Sequence, residues 1–211
     1  VIGASRHPSG IGHRVLDALR EGNFRGRIYP VNPHVSEIDG LVCYPSARAL
    51  PAGTDLAVIA VPAASVLAVV DDCAAAGVKS LVIISAGFAE AGEDGRALQR
   101  TLVERVRNHG MRMVGPNCMG VVNATGRIRL NASFSPVMPE SGRISLLSQS
   151  GALGIAIIEL ALERQVGLST FVSVGNKADV SGNDLIEYWE GDAATHVLLL
   201  YLESFGNPRR F

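Results

Sequence analysis

The sequence predicts a doubly wound α/β fold in two successive units, and three observations predict it. Short runs that are apolar throughout alternate with helical segments along most of the chain, the pattern of parallel strands covered on both faces. The runs end in glycine, proline or asparagine, and a helix then follows, as in strand–helix–strand units. The alternation stops between residues 124 and 142 and then starts again.

The elements follow in order. Val1-Ile2-Gly3 reads as the end of a buried strand. The segment from Gly3 to Gly12 is a loop that opens the first helix. Residues 27–31 are strand-like and lead into Asn32-Pro33. Residues 56–61 form a strand ending at Pro62, and residues 64–76 a helix. Residues 81–85 form a strand ending at Gly87, followed by an amphipathic helix over 95–109. Residues 111–114 form a strand ending in Gly115-Pro116-Asn117. Gly126, Pro136, Pro139 and Gly142 mark a connection holding a small hairpin. Strands are then expected at 143–147, 170–174 and 197–202, with helices at 152–165 and 184–189. The division is 1–124, 125–141 and 142–211. Both ends read as cut, with 207–211 as the first turn of a helix that does not continue.

Composition narrows the function. Among 211 residues, 47% are hydrophobic and 18% charged, and the net charge is −1. A nucleic-acid surface would carry a basic excess. No apolar run reaches the roughly 18 residues of a membrane helix, and no signal peptide is visible. Cys43, Cys73 and Cys118 are scattered and odd in number, so neither a disulfide framework nor a metal site is expected, and a cytoplasmic setting fits.

The chemistry is expected at the strand ends, where open α/β sheets bind ligands. The Gly3–Gly12 loop is glycine-rich and precedes a helix, whose first amides favour an anion. Its spacing is not G-x-G-x-x-G. A dinucleotide site also wants an acid about 20 residues on, and Val31-Asn32-Pro33 supplies none. A nucleotide carrying an extra phosphate fits better, with Arg6 as donor; the alternative is a plain tight turn. The other strand ends carry Val61-Pro62-Ala63, Ser85-Ala86-Gly87-Phe88 and Gly115-Pro116-Asn117-Cys118. Such small residues suit an extended ligand held by backbone contacts. Cys118 is read as buried filler rather than a nucleophile.

In LLSQSGALGIAI (146–157), four small polar residues separate two apolar runs. Ser150 can cap a helix while Gly151 and Ala152 leave its first turn open, so the break is either a second phosphate cradle or a simple cap. Glu203 ends the apolar run 198–202. A carboxylate at the tip of a buried strand needs a partner, which makes Glu203 the candidate working carboxylate.

GASRHPSGIG, VGPNCMG (114–120), LLSQSGALG (146–154), VGNKADV (174–180) and LYLESFGNPRRF (200–211) occur in this order. Together they resemble the CoA-binding half of NDP-forming acyl-CoA synthetases, relatives of the succinyl-CoA synthetase alpha subunit. The resemblance implies a Rossmann-like CoA-binding domain followed by an incomplete flavodoxin-like domain. It implies CoA contacts drawn from Ser5, Arg6, Pro8, Gly10, Gly12, Asn32, Pro33, Val61, Pro62, Ala63, Gly87, Phe88, Asn117 and Cys118. Phosphate contacts would come from Ser148, Ser150, Gly151, Ala152, Gly175 and Asn176. Glu203 would orient a phosphohistidine that lies outside this chain. ATP or ADP and Mg would sit on an ATP-grasp partner domain or subunit, the substrate would be a carboxylic acid, and the protein would be an oligomer. Neither a nucleic-acid nor a membrane partner is expected. His7, His13, His34, His109 and His196 all fall outside the family's phosphohistidine segment. Two other readings stand beside the ligase: a CoA or acyl-CoA sensor domain of a protein acetyltransferase, and an NAD(P)-dependent oxidoreductase.

Overall fold

The computed structural model describes residues 1–126, 128–205 and 209; the helical turn expected at 207–211 lies, apart from Arg209, outside them. In the first unit Ile2 is central, with parallel bridges to Val31 on one side and Ile59 on the other, and Val31 bridges Tyr44 in turn. A two-stranded ribbon, β1 (Glu37–Ile38) and β2 (Leu41–Val42), stands apart. Strands β3 (Leu56–Ile59), β4 (Ser80–Ile83) and β5 (Arg112–Val114) extend the parallel array. The strand expected at 27–31 is thus reduced to bridges at Val31.

Helices α1 (Ile11–Glu21), α2 (Ala63–Ala75) and α3 (Glu93–Asn108) cover this sheet. Ile59, Leu81 and Ile83 pack with Val66 and Val70 of α2 and Leu102 and Val106 of α3. The alternate residues Val58, Val82 and Ile84 pack with Val15 and Leu19 of α1. Successive strand side chains therefore enter two cores, which is why these strands are apolar throughout. Helix α3 carries Glu93 and Asp94 in its first turn and Arg105 and Arg107 in its last, matching the helix dipole at both ends.

The second unit is one five-stranded sheet ordered β10-β8-β9-β6-β7. Its strands are β6 (Gly120–Asn123), β7 (Leu130–Ser133), β8 (Ser141–Ser148), β9 (Leu168–Ser173) and β10 (Val197–Tyr201). β8 is parallel to β9 and β10, whereas β6 is antiparallel to both β7 and β9. The hairpin expected inside a connection is therefore part of this sheet. Leu146, Ile158 and Phe171 form the core under α4 (Gly151–Glu163). Leu147, Val172 and Trp189 form the one under α5 (Gly182–Glu190). Asp184 does not begin α5 but stands three residues after the N-cap Ser181, whose N–H it accepts at 2.9 Å, one half of a capping box. β10 differs from its expected burial: among the described residues it pairs only with β8, and Val197, Leu199 and Tyr201 are 53%, 45% and 40% exposed. Among the described residues no helix is long and apolar enough to cross a membrane.

The segment after β9 lies along β5 and joins the units. Asn176, Ala178 and Val180 donate their N–H groups to the carbonyls of Pro116, Gly115 and Met113 at 2.9, 3.1 and 3.1 Å. Asp179, its side chain 1% exposed, closes the ladder. One carboxylate oxygen accepts from Met113 N and Arg112 Nε at 3.0 and 2.9 Å, and the other from Arg107 Nε and Nη2 at 3.1 and 3.0 Å. Burial opposes its charge, but the bonds from Met113, Arg112 and Arg107 outweigh burial and hold the carboxyl below its ordinary range. Asp179→Ala orphans the Met113 N–H and is expected to destabilise the protein by about 2 kcal/mol in urea unfolding. The folded pKa is depressed, so the stabilisation is present above the unfolded value near 3.9 and is lost as pH falls through the folded value. Acid titration of Asp179→Asn should lack that loss; an unchanged acid transition would refute the assignment.

Candidate functional site

The first loop is folded against its own backbone. A Cβ on Gly12 would lie 2.1 Å from the carbonyl oxygen of Gly3, so only glycine lets α1 start this close to the first strand. Ser5 Oγ accepts from His7 N at 3.0 Å, Gly10 N donates to His7 O at 2.9 Å, and His13 Nδ1 bonds Ser5 O at 2.8 Å. Gly10 is the N-cap of α1 and makes no side-chain cap bond, which leaves the first-turn amides without a side-chain acceptor. Arg6 is exposed, and its Nε donates to Glu37 O at 3.0 Å. Asn32 Nδ2 donates to Ala4 O at 2.7 Å, and Asn32 Oδ1 accepts from His34 N at 2.8 Å. Pro8 and Pro33 are exposed beside them.

The neighbouring strand ends continue the same edge. Ser85 Oγ accepts from Val61 N at 3.1 Å and donates to Val61 O at 2.5 Å, and Ser85 O accepts from Asn117 N at 3.0 Å. Pro62 is exposed, and Ala63 opens α2 beside Gly87. Two of the residues expected to touch a cofactor do not face outward. Phe88 is fully buried in the core with Leu102. Cys118 is 5% exposed, its Sγ lies 3.3 Å from Ile83 O, and burial pushes its thiol up to about 12. The apolar neighbours of both side chains keep them inside.

In the second unit, Ser148 is buried and donates its hydroxyl to Ser150 O at 2.6 Å, so its side chain shapes the turn. Ser150 caps α4, accepting from Leu153 N at 3.3 Å. Gly151 and Ala152 form the open first turn; a Cβ on Gly151 would meet only Met119 Cβ, at 3.5 Å. Gln149 is a hub that the sequence did not single out. Its Oε1 accepts from Lys177 Nζ, Glu203 N and Ser204 N at 3.3, 3.1 and 3.3 Å. Lys177 also donates to Ser204 O. Burial lowers the Lys177 pKa, and the nearby Glu203 charge works the other way. Lys177 was not singled out from the sequence either; the signal that could have found it is a cation two residues after the strand-end Gly175. Glu203 is exposed rather than buried, because β10 is an edge strand.

The two edges meet at Gly175. Its φ is +51°, and a Cβ there would lie 2.2 Å from Asn117 O, so a side chain is excluded both by conformation and by contact. Asn176 corrects its expected role. Its N–H is bonded to Pro116 O, its Nδ2 donates to Glu90 Oε2 and Gln99 Oε1 at 2.5 and 2.8 Å, and its Oδ1 accepts from Asn117 Nδ2 at 3.3 Å. Its donors serve the first unit, not an anion beside Ser150. Glu90 also accepts from Gly87 N and Phe88 N at 2.6 and 3.1 Å. Burial opposes its charge, and the bonds from Asn176 and Gly87 prevail, so its pKa is lowered. No sequence pattern marked Glu90. His13, Asp17 and Asp39 bring potential metal-ligand atoms within 4.8 Å of one another, a cluster that no spacing in the sequence announced; His13 there already holds the Ser5 carbonyl.

Comparison with known proteins agrees with this architecture. Residues 1–124 match the model of a CoA binding domain, and residues 141–211 that of a succinyl-CoA ligase like flavodoxin domain. The chain is 46% identical over its full length to acetate–CoA ligase [ADP-forming] I of Archaeoglobus fulgidus, of which it covers 30%. It is 44% identical to the alpha subunit of the Pyrococcus furiosus acetate–CoA ligase [ADP-forming] I, of which it covers 46%. A solved structure of the Ca. Korarchaeum cryptofilum dinucleotide forming acetyl-coenzyme A synthetase 1, in complex with phosphate and ADP, superposes with a TM-score of 0.94 at 44% identity, over 99% of this chain and 44% of that one. The chain thus spans less than half the length of these relatives. With two parallel strand-end loops joined at one edge, and with these matches, the chain belongs to the CoA binding domain family, continued by a succinyl-CoA ligase like flavodoxin domain.

Proposed function

We propose that this chain is the CoA- and phosphate-binding part of an acid–thiol ligase, which forms an acyl-CoA from a carboxylic acid, CoA and ATP and releases ADP and phosphate. The observation that carries this reading is the placement of the starts of α1 and α4 on two strand edges that touch at Asn117 and Gly175. In its favour, main-chain amides and one cation suit oxyanions, and relatives that match the whole chain are named ligases of acetate and 4-hydroxybutyrate.

On this reading the Ser5–Gly12 loop, Val61–Ala63, the Gly87 turn and Asn117 hold CoA by backbone contacts, with Arg6 on its extra phosphate. The first turn of α4 and Lys177 hold phosphate. A histidine from outside residues 1–211 would carry the phosphoryl group, and Glu203 would bond one ring nitrogen, fixing the tautomer and leaving the other nitrogen free. His196 does not fit this role, because its N–H is bonded to Arg143 O at the start of β10, the opposite end from Glu203. ATP and Mg would sit on an ATP-grasp partner. The proposed division into 1–124, 125–141 and 142–211 changes at one boundary: β6 (Gly120–Asn123) and β7 pair into the second unit's sheet. Neither the sensor reading nor the NAD(P) reading gains an observation of its own.

Titration calorimetry of the intact protein with CoA, dephospho-CoA and NAD tests this directly. CoA is expected to bind more tightly than dephospho-CoA, and Arg6→Ala should abolish the difference; binding of NAD without CoA would overturn the proposal. Gly151→Asp tests the phosphate cradle. A carboxylate in the first turn of α4 has room and stabilises a helix start by about 0.3–1 kcal/mol. It also repels an anion and removes charge-assisted bonds of about 1.5–3 kcal/mol. Melting temperature should hold or rise while phosphate affinity falls about 10- to 100-fold; unchanged phosphate affinity would place the anion elsewhere.

A further inference from the structure

Between the two loops that the proposed function assigns to different ligands lies a short chain of side chains that neither ligand requires. Glu90 Oε1 accepts from both Gly87 N and Phe88 N, which ties the carboxylate to the turn after β4. Its Oε2 accepts from Asn176 Nδ2 across the junction at 2.5 Å. Asn176 is anchored by Pro116 O and Asn117 Nδ2, and the next residue, Lys177, reaches Gln149 beside the α4 cap. Gln99 steadies the arrangement: its Oε1 accepts from Asn176 Nδ2 at 2.8 Å and from Ala89 N at 3.3 Å.

We propose that Glu90 and Asn176 are positioning residues, a clasp through which the Gly87 turn of the first unit and the Gly175–Lys177 loop of the second set each other's conformation, so that CoA and phosphate bind as coupled ligands. The inference rests on the reading that places CoA at the first edge and phosphate at the second. A ligand ordering the Gly87 turn fixes the carboxylate, the carboxylate fixes Asn176, and Lys177 is thereby held toward the phosphate cradle. The contact is a single charge-assisted bond at a partly exposed site, so the coupling lies at the lower end of measured values, about 5-fold in affinity. It is reciprocal: phosphate strengthens CoA binding by the same factor as CoA strengthens phosphate binding.

The test measures CoA affinity in the intact protein by calorimetry, with and without saturating inorganic phosphate, for wild type, Glu90→Gln, Asn176→Asp and the double variant. Glu90→Gln places an amide where a carboxylate accepted, and Asn176→Asp sets two carboxylates face to face. The double variant restores the bond with its direction reversed: the amide introduced at position 90 donates to the carboxylate introduced at position 176, and the Gln99 amide turns so that its Nε2 donates there as well, giving up its 3.3 Å bond from Ala89 N. The expected result is coupling of about 5-fold in wild type, loss in each single variant and recovery in the double, a rescue that a merely structural role would not produce. Melting curves identify any variant that fails to fold, and the double variant still decides in that case. Wild type that binds both ligands independently, single variants that keep the coupling, or a folded double variant that stays uncoupled would overturn the clasp. Wild type that binds no CoA would overturn the ligase reading itself.

Discussion

The architecture depends on one buried carboxylate. Asp179 is surrounded by Met113 N–H and the guanidinium groups of Arg107 and Arg112. A charge removed from water without partners would be untenable. With these partners it fixes the chain after β9 against β5, so that Ala178 and Val180 continue the hydrogen bonding of the first unit's sheet. Both arginines come from the first unit and remain more than half exposed. Much of their charge therefore stays hydrated, and the carboxylate, its side chain 1% exposed, is the more deeply buried partner.

The site follows from that junction. Once residues 176–180 lie along β5, Gly175, just past the end of β9, is pressed onto Asn117, just past the end of β5. Amides at helix starts, glycines and prolines dominate the edge. A lone carboxylate, Glu203, and a lone ammonium, Lys177, stand near the second cradle, where Gln149 Oε1 bonds the Lys177 ammonium and the Glu203 N–H. Such an arrangement suits the anions that the proposed function assigns to it.

Exposed apolar residues on β10 bear on the same point. Val197, Leu199 and Tyr201 belong to a run that would be buried in a doubly wound sheet, yet among the described residues β10 has one neighbouring strand, and while Leu200 packs into the cluster of Trp189 and Leu185 of α5, the alternate face of Val197, Leu199 and Tyr201 stays exposed. The strand that leads to Glu203 is thus the most exposed strand of the second sheet among the described residues.

The sequence by itself determined the alternation of strands and helices, the two loops at helix starts, the burial of Cys118 and the family resemblance. Each of these is written in local pattern: unbroken apolar runs for strands packed on both faces, small residues at strand ends, Ser150 before an apolar helix. Tertiary structure alone decided which neighbour each element found. Nothing local says that the hairpin of β6 and β7 pairs with β9 across some 50 residues, that Phe88 turns inward, or that Asn176 gives its donors to Glu90, 86 residues earlier. Side-chain type sets what a group can bond, whereas burial and partner depend on which distant segment packs against it, and that is a property of the folded chain.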